Sequence, residues 1–87
     1  MKPEIRKPTE EEKRIARSWP VWSKEASEFP WEYDEQETCL ILQGQVTVTN
    51  ETGEQFRFGP GDWVVFPRGI KCTWKIEQDV RKHYRFG

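Results

Sequence analysis

Residues 37–69 read ETCLILQGQVTVTNETGEQFRFGPGDWVVFPRG, and they contain the clearest β-strand and turn signals of the chain. Within it, residues 45–49 and 55–58 alternate apolar and polar side chains, which is the pattern of a half-buried β-strand. Clusters of turn-forming residues separate the apolar runs, at 50–53, 59–62 and 67–69. Glycine and proline in such clusters favour tight turns. The stretch therefore predicts short antiparallel strands joined by hairpins.

The same pattern continues towards both ends of the chain, with residues 23–28 as a polar interruption. The predicted strands are 19–22, 29–33, 37–43, 45–49, 55–58, 63–66, 71–76 and 80–86. About eight short strands without crossover helices indicate an all-β antiparallel sandwich or barrel. Because open sheet edges invite aggregation, we expect the sheet to close on itself or to pair in a dimer.

Residues 1–18 differ from the rest because they are charged and contain little apolar bulk. Thr9 and Glu12 fit a capping box, in which each residue satisfies a backbone N–H at a helix start. The segment therefore predicts either a short helix from Glu10 to about Arg17 or a loosely ordered arm. Residues 19–87 then form a single barrel domain, since the chain is too short for two cores.

Composition excludes several classes of protein. The chain has 87 residues, a net charge of -1, five Trp, five Phe and two Tyr, so large rings must supply a thin core. It has no basic stripe for a nucleic acid and no apolar run for a membrane. We expect a soluble, cytoplasmic protein in which Cys39 and Cys72 are free thiols.

Two motifs carry a family resemblance. In residues 37–44 a glutamate precedes a glycine by seven positions, and in residues 61–69 a glycine is followed by five residues, a proline, one residue and a glycine. Both resemble motifs of the cupin superfamily. Residues 19–87 further resemble the small DUF861-like (cupin_3) subgroup, named after the cupin domain of (S)-ureidoglycine aminohydrolase. The resemblance implies an antiparallel jelly-roll β-barrel and, often, a homodimer.

Metal-binding cupins hold their ion with three histidines and one glutamate. The resemblance places the first two histidine positions among residues 30–33 (PWEY) and the third at Cys72, so only Glu37 survives. One carboxylate and one thiol are too few for a transition-metal site. We therefore predict no metal site and no cofactor.

Strand alternation predicts which side chains face the barrel interior. The predicted ligand-binding pocket consists of Trp31, Tyr33, Glu37, Cys39, Cys72 and Trp74. The last strand is ambiguous, because its inward face is either Arg81, His83 and Arg85 or Lys82 and Tyr84. On the outer face Leu40 and Leu42 need cover, from a second subunit or from a second layer of the same chain.

Three functions remain open at this point. The first is binding of a small organic metabolite in an aromatic, metal-free pocket. The second is a hydrolase or isomerase of the ureidoglycine aminohydrolase kind, with candidate catalytic residues Glu37, Cys72 and His83 and, in that case only, a weakly bound Mn, Fe, Ni or Zn ion. The third is a structural or regulatory module acting through its dimer surface or N-terminal arm. Whether any reaction is catalysed is left open.

Overall fold

The computed structural model describes all of residues 1–87 and contains seven strands and one helix. In chain order these are β1 (Glu4–Arg6), α1 (Glu10–Ala16), β2 (Val21–Lys24), β3 (Ser27–Glu32), β4 (Glu37–Asn50), β5 (Gln55–Phe58), β6 (Trp63–Phe66) and β7 (Lys71–Phe86). Every strand pair is antiparallel, as expected for a chain joined by tight turns. The all-β jelly-roll prediction is confirmed.

The two long strands, β4 and β7, pair with each other. Each other strand except β1 pairs with one of these two. The first part of β4 pairs with β6, and the last part of β7 pairs with β2. The second part of β4 pairs with β5, and the first part of β7 pairs with β3. The two long strands therefore connect two strand groups, and both groups contribute to one core.

The sequence predicted a strand break at Gly44 and another at residues 77–79, and both predictions were wrong. The strands β4 and β7 run through these positions without a break, and their pairing contains bulges there. The register between β4 and β7 shifts between Ile41 and Val46, on either side of Gly44. Gly44 has a φ of +101°, and a Cβ there would lie 2.5 Å from the carbonyl oxygen of Asp79. A glycine is needed at this position for both reasons, so the sequence signal of an ending strand marks a close contact between strands.

The core is a cluster of 13 buried residues drawn from both strand groups. Cys39, Ile41 and Val64 contribute from one group, and Phe58 and Trp74 from the other. Phe66 lies between them, with its ring centroid 6.1 Å from that of Phe58 and 5.5 Å from that of Trp74. Large aromatic rings thus supply much of the buried apolar volume in the core of this short chain.

Of the two alternatives predicted for the N-terminal segment, the short helix is present as α1, with Thr9 as its N-cap and a complete capping box to Glu12. It is not a detached arm, because Ala16 packs with Leu40 and Trp63 in a second buried cluster. Leu40 is therefore covered by a second layer of the same chain, whereas Leu42 is 40% exposed. The helix is too short to span a membrane.

The strand β1 was missed by the sequence analysis. It pairs with β6 at the sheet edge and is joined to α1 by a bidentate ion pair between Arg6 and Glu12, with N···O distances of 2.8 and 2.7 Å. Three residues with Ile5 as the one apolar side chain are too few to show a period, so the pairing is decided by the neighbouring strand.

Candidate functional site

An aromatic cavity of about 210 Å³ is lined by residues of β2, β3, β4 and β7 and by Tyr33, which lies between β3 and β4. Seven of its nine lining residues are aromatic, and the other two are Glu37 and Lys82. The rings belong to Trp22, Phe29, Trp31, Tyr33, Trp74, Tyr84 and Phe86. A pocket lined mostly by rings, with few polar groups, is the usual form of a small-molecule site.

The two charged residues form a buried ion pair. Lys82 Nζ donates to Glu37 Oε2 at 2.7 Å, and the two side chains are 6% and 3% exposed. The hydroxyl of Tyr33 donates to the other oxygen, Oε1, at 2.8 Å. Burial and the charge of Glu37 raise the pKa of Tyr33 well above its usual value, so its hydroxyl keeps the proton that it donates.

The Lys82 ammonium also lies among ring faces. Its Nζ is 4.7 Å from the ring centroid of Trp22, 4.6 Å from that of Trp74 and 6.0 Å from that of Tyr84. Ring faces carry partial negative charge, so they attract a cation at these distances. Glu37 and the rings together compensate for the removal of the ammonium from water.

Trp74 has an unused hydrogen-bond donor. Its Nε1–H is buried and meets no acceptor of the chain. Buried donors are usually satisfied, so an unsatisfied one calls for an explanation. The Nε1 atom has almost no accessible surface, so it does not open onto the cavity that other atoms of Trp74 line.

Strand register explains how the rings come together. Trp22 on β2 is the cross-strand partner of Lys82, and Phe29 on β3 is the partner of Trp74. Directly opposite residues of adjacent strands lie close together, so side chains that share a face meet in pairs. At the rim, Trp31 is 49% exposed and Phe86 is 43% exposed, which leaves two rings accessible from solvent.

Four residues of the predicted pocket line this cavity: Trp31, Tyr33, Glu37 and Trp74. The two cysteines face inward as predicted, but the structure corrects their grouping with the pocket because neither contributes to the lining. Burial raises the pKa of the Cys39 thiol to about 12 and that of the Cys72 thiol to about 11. Cys39 Sγ contacts the carbonyl oxygen of Val64 at 3.6 Å. The role of Cys72 as a reactive group beside Glu37 is therefore not supported, since a thiolate is the nucleophilic form.

His83 lies on the outer face of β7, away from the cavity. Its Nδ1 lies 3.0 Å from the carbonyl oxygen of Trp19 and donates to it. The strand has one inward face, and Val80, Lys82 and Tyr84 occupy it. His83 is thereby removed as a partner of Glu37, because successive side chains of a strand point to opposite faces.

Five lining residues were not in the predicted pocket: Trp22, Phe29, Lys82, Tyr84 and Phe86. Of these, Lys82 and Tyr84 formed one of the two inward faces that the sequence left open for the last strand. For β7 a signal was present, since Val80 and Tyr84 are the apolar members of one face and the opposite face is entirely polar. The more apolar face is the inward one, and it includes Lys82. Trp22 and Phe29 show no such signal, because their positions depend on pairing with β7.

The residues present do not fit the metal that the cupin fold implies. Glu37 uses one oxygen for Tyr33 and the other for Lys82, so an ammonium already supplies the positive charge beside this carboxylate. A divalent cation bound to Glu37 would lie against that ammonium. No group of three or more His, Cys, Asp or Glu side chains is arranged so that it could hold a metal ion.

An antiparallel jelly roll whose cavity is lined by rings and an internal ion pair defines a cupin built without the three-histidine, one-glutamate ligand set. Sequence comparison agrees with that class. The EutQ-like cupin domain matches residues 11–84, and the chain belongs to this family. No curated protein matches the chain.

Solved structures support the assignment. A DUF861 family protein from Thermotoga maritima is 48% identical, with 99% of this chain and 100% of that chain covered and a TM-score of 0.94. A DUF861 family protein of unknown function from Pseudomonas syringae pv. tomato is 26% identical over 77% of this chain and 29% of its own, with a TM-score of 0.71. The EutQ protein of Clostridium difficile, 17% identical over 76% of this chain and 52% of its own, has a TM-score of 0.70 and shows the fold alone.

Proposed function

We propose that this protein binds a small organic molecule with a flat ring in the aromatic cavity. The observation that carries the proposal is the lining, in which seven rings surround a single buried ion pair. A cavity of about 210 Å³ suits one substituted ring, since benzene enters an engineered apolar cavity of about 150 Å³ in another protein. Ring stacking supplies affinity, and the ion pair orients the ligand.

A panel of neutral, anionic and cationic single-ring compounds tests this proposal by isothermal titration calorimetry. We expect at least one compound to bind with a dissociation constant below about 1 mM, as suits a single stacked ring. Trp31→Ala should weaken the binding of that compound, because Trp31 lines the cavity. The variant should remain folded, because the Trp31 side chain is exposed. Val21→Ala is the matched control, since Val21 is 43% exposed and absent from the lining.

Absence of binding across the panel at millimolar concentration would contradict the proposal. Equal losses in Trp31→Ala and Val21→Ala would contradict the assignment to this cavity. Both variants replace exposed residues, so unfolding does not confuse the comparison.

The enzymatic alternative now rests on a different pair of residues. Glu37 and Lys82 are the charged groups that line the cavity, and they lie within hydrogen-bond distance of each other at 2.7 Å. A general acid or base must lie within this kind of distance of the group on which it acts. Incubating a bound compound with the protein and following it by NMR tests this alternative. Turnover that is lost in Glu37→Gln favours an enzyme, whereas an unchanged spectrum favours a binding protein.

A further inference from the structure

The charge of the cavity restricts what it can hold. Glu37 and Lys82 are the two charged residues in its lining, and together they carry no net charge. A charged ligand would therefore add an uncompensated charge to an aromatic, poorly solvated space. Removing such a charge from water has a desolvation cost that a neutral ligand does not have.

The ring faces and the ammonium disfavour the two signs of charge for different reasons. An anion stacked between rings meets their negative faces. A second cation would lie close to the Lys82 ammonium, which already occupies the faces of Trp22 and Trp74 at 4.7 and 4.6 Å. A neutral ligand avoids both repulsions.

The hydrogen-bonding groups favour one kind of neutral ligand. The ammonium of Lys82 has three N–H donors, of which one is used by Glu37. Each oxygen of Glu37 accepts one hydrogen bond and retains a lone pair, so the carboxylate can accept from a ligand N–H.

We propose that the ligand is a neutral, single-ring compound bearing a carboxamide-like group. Its carbonyl oxygen would accept from Lys82, and its N–H would donate to Glu37. The inference rests on the proposed function and adds to it the chemical class of the ligand. Its basis is the juxtaposition of a neutral ion pair and seven rings in one cavity.

Benzamide, benzoate and benzamidine test this inference, because they share ring and shape and differ in charge. By titration calorimetry at pH 7 we expect benzamide to bind at least about tenfold more tightly than either charged analogue. Benzoate or benzamidine binding as tightly as benzamide would overturn the inference and leave the proposed function intact. Failure of all three to bind, with no other ring compound binding, would overturn the proposed function itself.

Charge-changing variants provide a second, independent readout. Glu37→Gln leaves a net positive cavity, so the affinity for benzoate should rise relative to the affinity for benzamide by about tenfold or more. Lys82→Met removes the cation, so the affinity for benzamidine should rise relative to that for benzamide instead. The neutral double variant Glu37→Gln/Lys82→Met should show neither change in relative affinity. It also serves as the comparison protein if a single variant is too unstable to measure. Unchanged ligand preferences in all of these variants would contradict the charge argument.

Discussion

Replacing Lys82 by methionine probes the buried ion pair directly. Methionine retains an unbranched apolar stem, so packing against the rings is largely kept and the main loss is the charge. Glu37 would remain buried with Tyr33 as its one remaining partner. Leaving a buried ion without its partner costs about 3–5 kcal/mol.

This loss is large for a small domain. A chain of 87 residues has a total free energy of unfolding of about 4–13 kcal/mol. Lys82→Met should therefore lose a substantial share of it, which urea denaturation followed by tryptophan fluorescence measures. Lys71→Met on the same strand is the control, since Lys71 lies 3.7 Å from Glu32 with both side chains exposed and should change stability by less than about 0.5 kcal/mol.

The double variant Glu37→Gln/Lys82→Met completes the cycle. Removing both charges leaves no unpaired ion, so the double variant should lose less stability than the two single variants added together. A Lys82→Met protein within about 0.5 kcal/mol of wild type, or single losses that simply add, would refute the view that this pair is buried and coupled.

Three further predictions concern the thiols, a glycine and the oligomeric state. With pKa values of about 12 and 11 instead of about 9, Cys39 and Cys72 should resist iodoacetamide at pH 8 until urea is added, and rapid native alkylation would contradict this. Because the unfolded thiols lose their protons first, urea stability should fall as pH rises from 9 towards 12. Gly44→Ala should lower the free energy of unfolding by about 2–5 kcal/mol, because it adds backbone strain and overpacking. Gly53 has open space around it, so Gly53→Ala should lower this free energy by only about 1–2 kcal/mol. Equal losses would contradict the close contact at Gly44. The homodimer is still a prediction, with Leu42 as exposed apolar surface, and a sedimentation mass of one chain at micromolar concentration would remove it.

The sequence predicted the strands whose side chains alternate and whose ends carry turn residues. β5 and β6 match their predicted bounds, because glycine and proline limit them on both sides. The ends of the other strands depend on partners far along the chain. Ser27 and Glu28, for example, become part of β3 by pairing with Ile76 and Lys75, although their own side chains favour a polar connection.

The candidate site was predictable where side chains of one strand share a face. Trp31 and Tyr33, two residues apart on one predicted strand, were placed on the same face, and both line the cavity. Tyr33 and Glu37 were predicted in the same pocket from different strands, and the structure joins them by a hydrogen bond. Cys72 was also placed inward correctly, but facing the interior differs from facing the cavity. Which inward side chains reach a cavity depends on how rings of different strands pack, and a period of two contains no such information.

The indole N–H resonances of the five tryptophans report on ligand binding in the cavity, because the tryptophans divide between the cavity and the outer layer. Trp22, Trp31 and Trp74 line the cavity, whereas Trp19 and Trp63 pack against each other at a centroid distance of 5.5 Å. In a ¹⁵N-labelled protein titrated with benzamide, the three cavity Nε1–H signals should shift and saturate together while the other two stay in place. Shifts confined to Trp19 and Trp63, or no shift at saturating benzamide, would contradict an aromatic binding cavity built around Lys82.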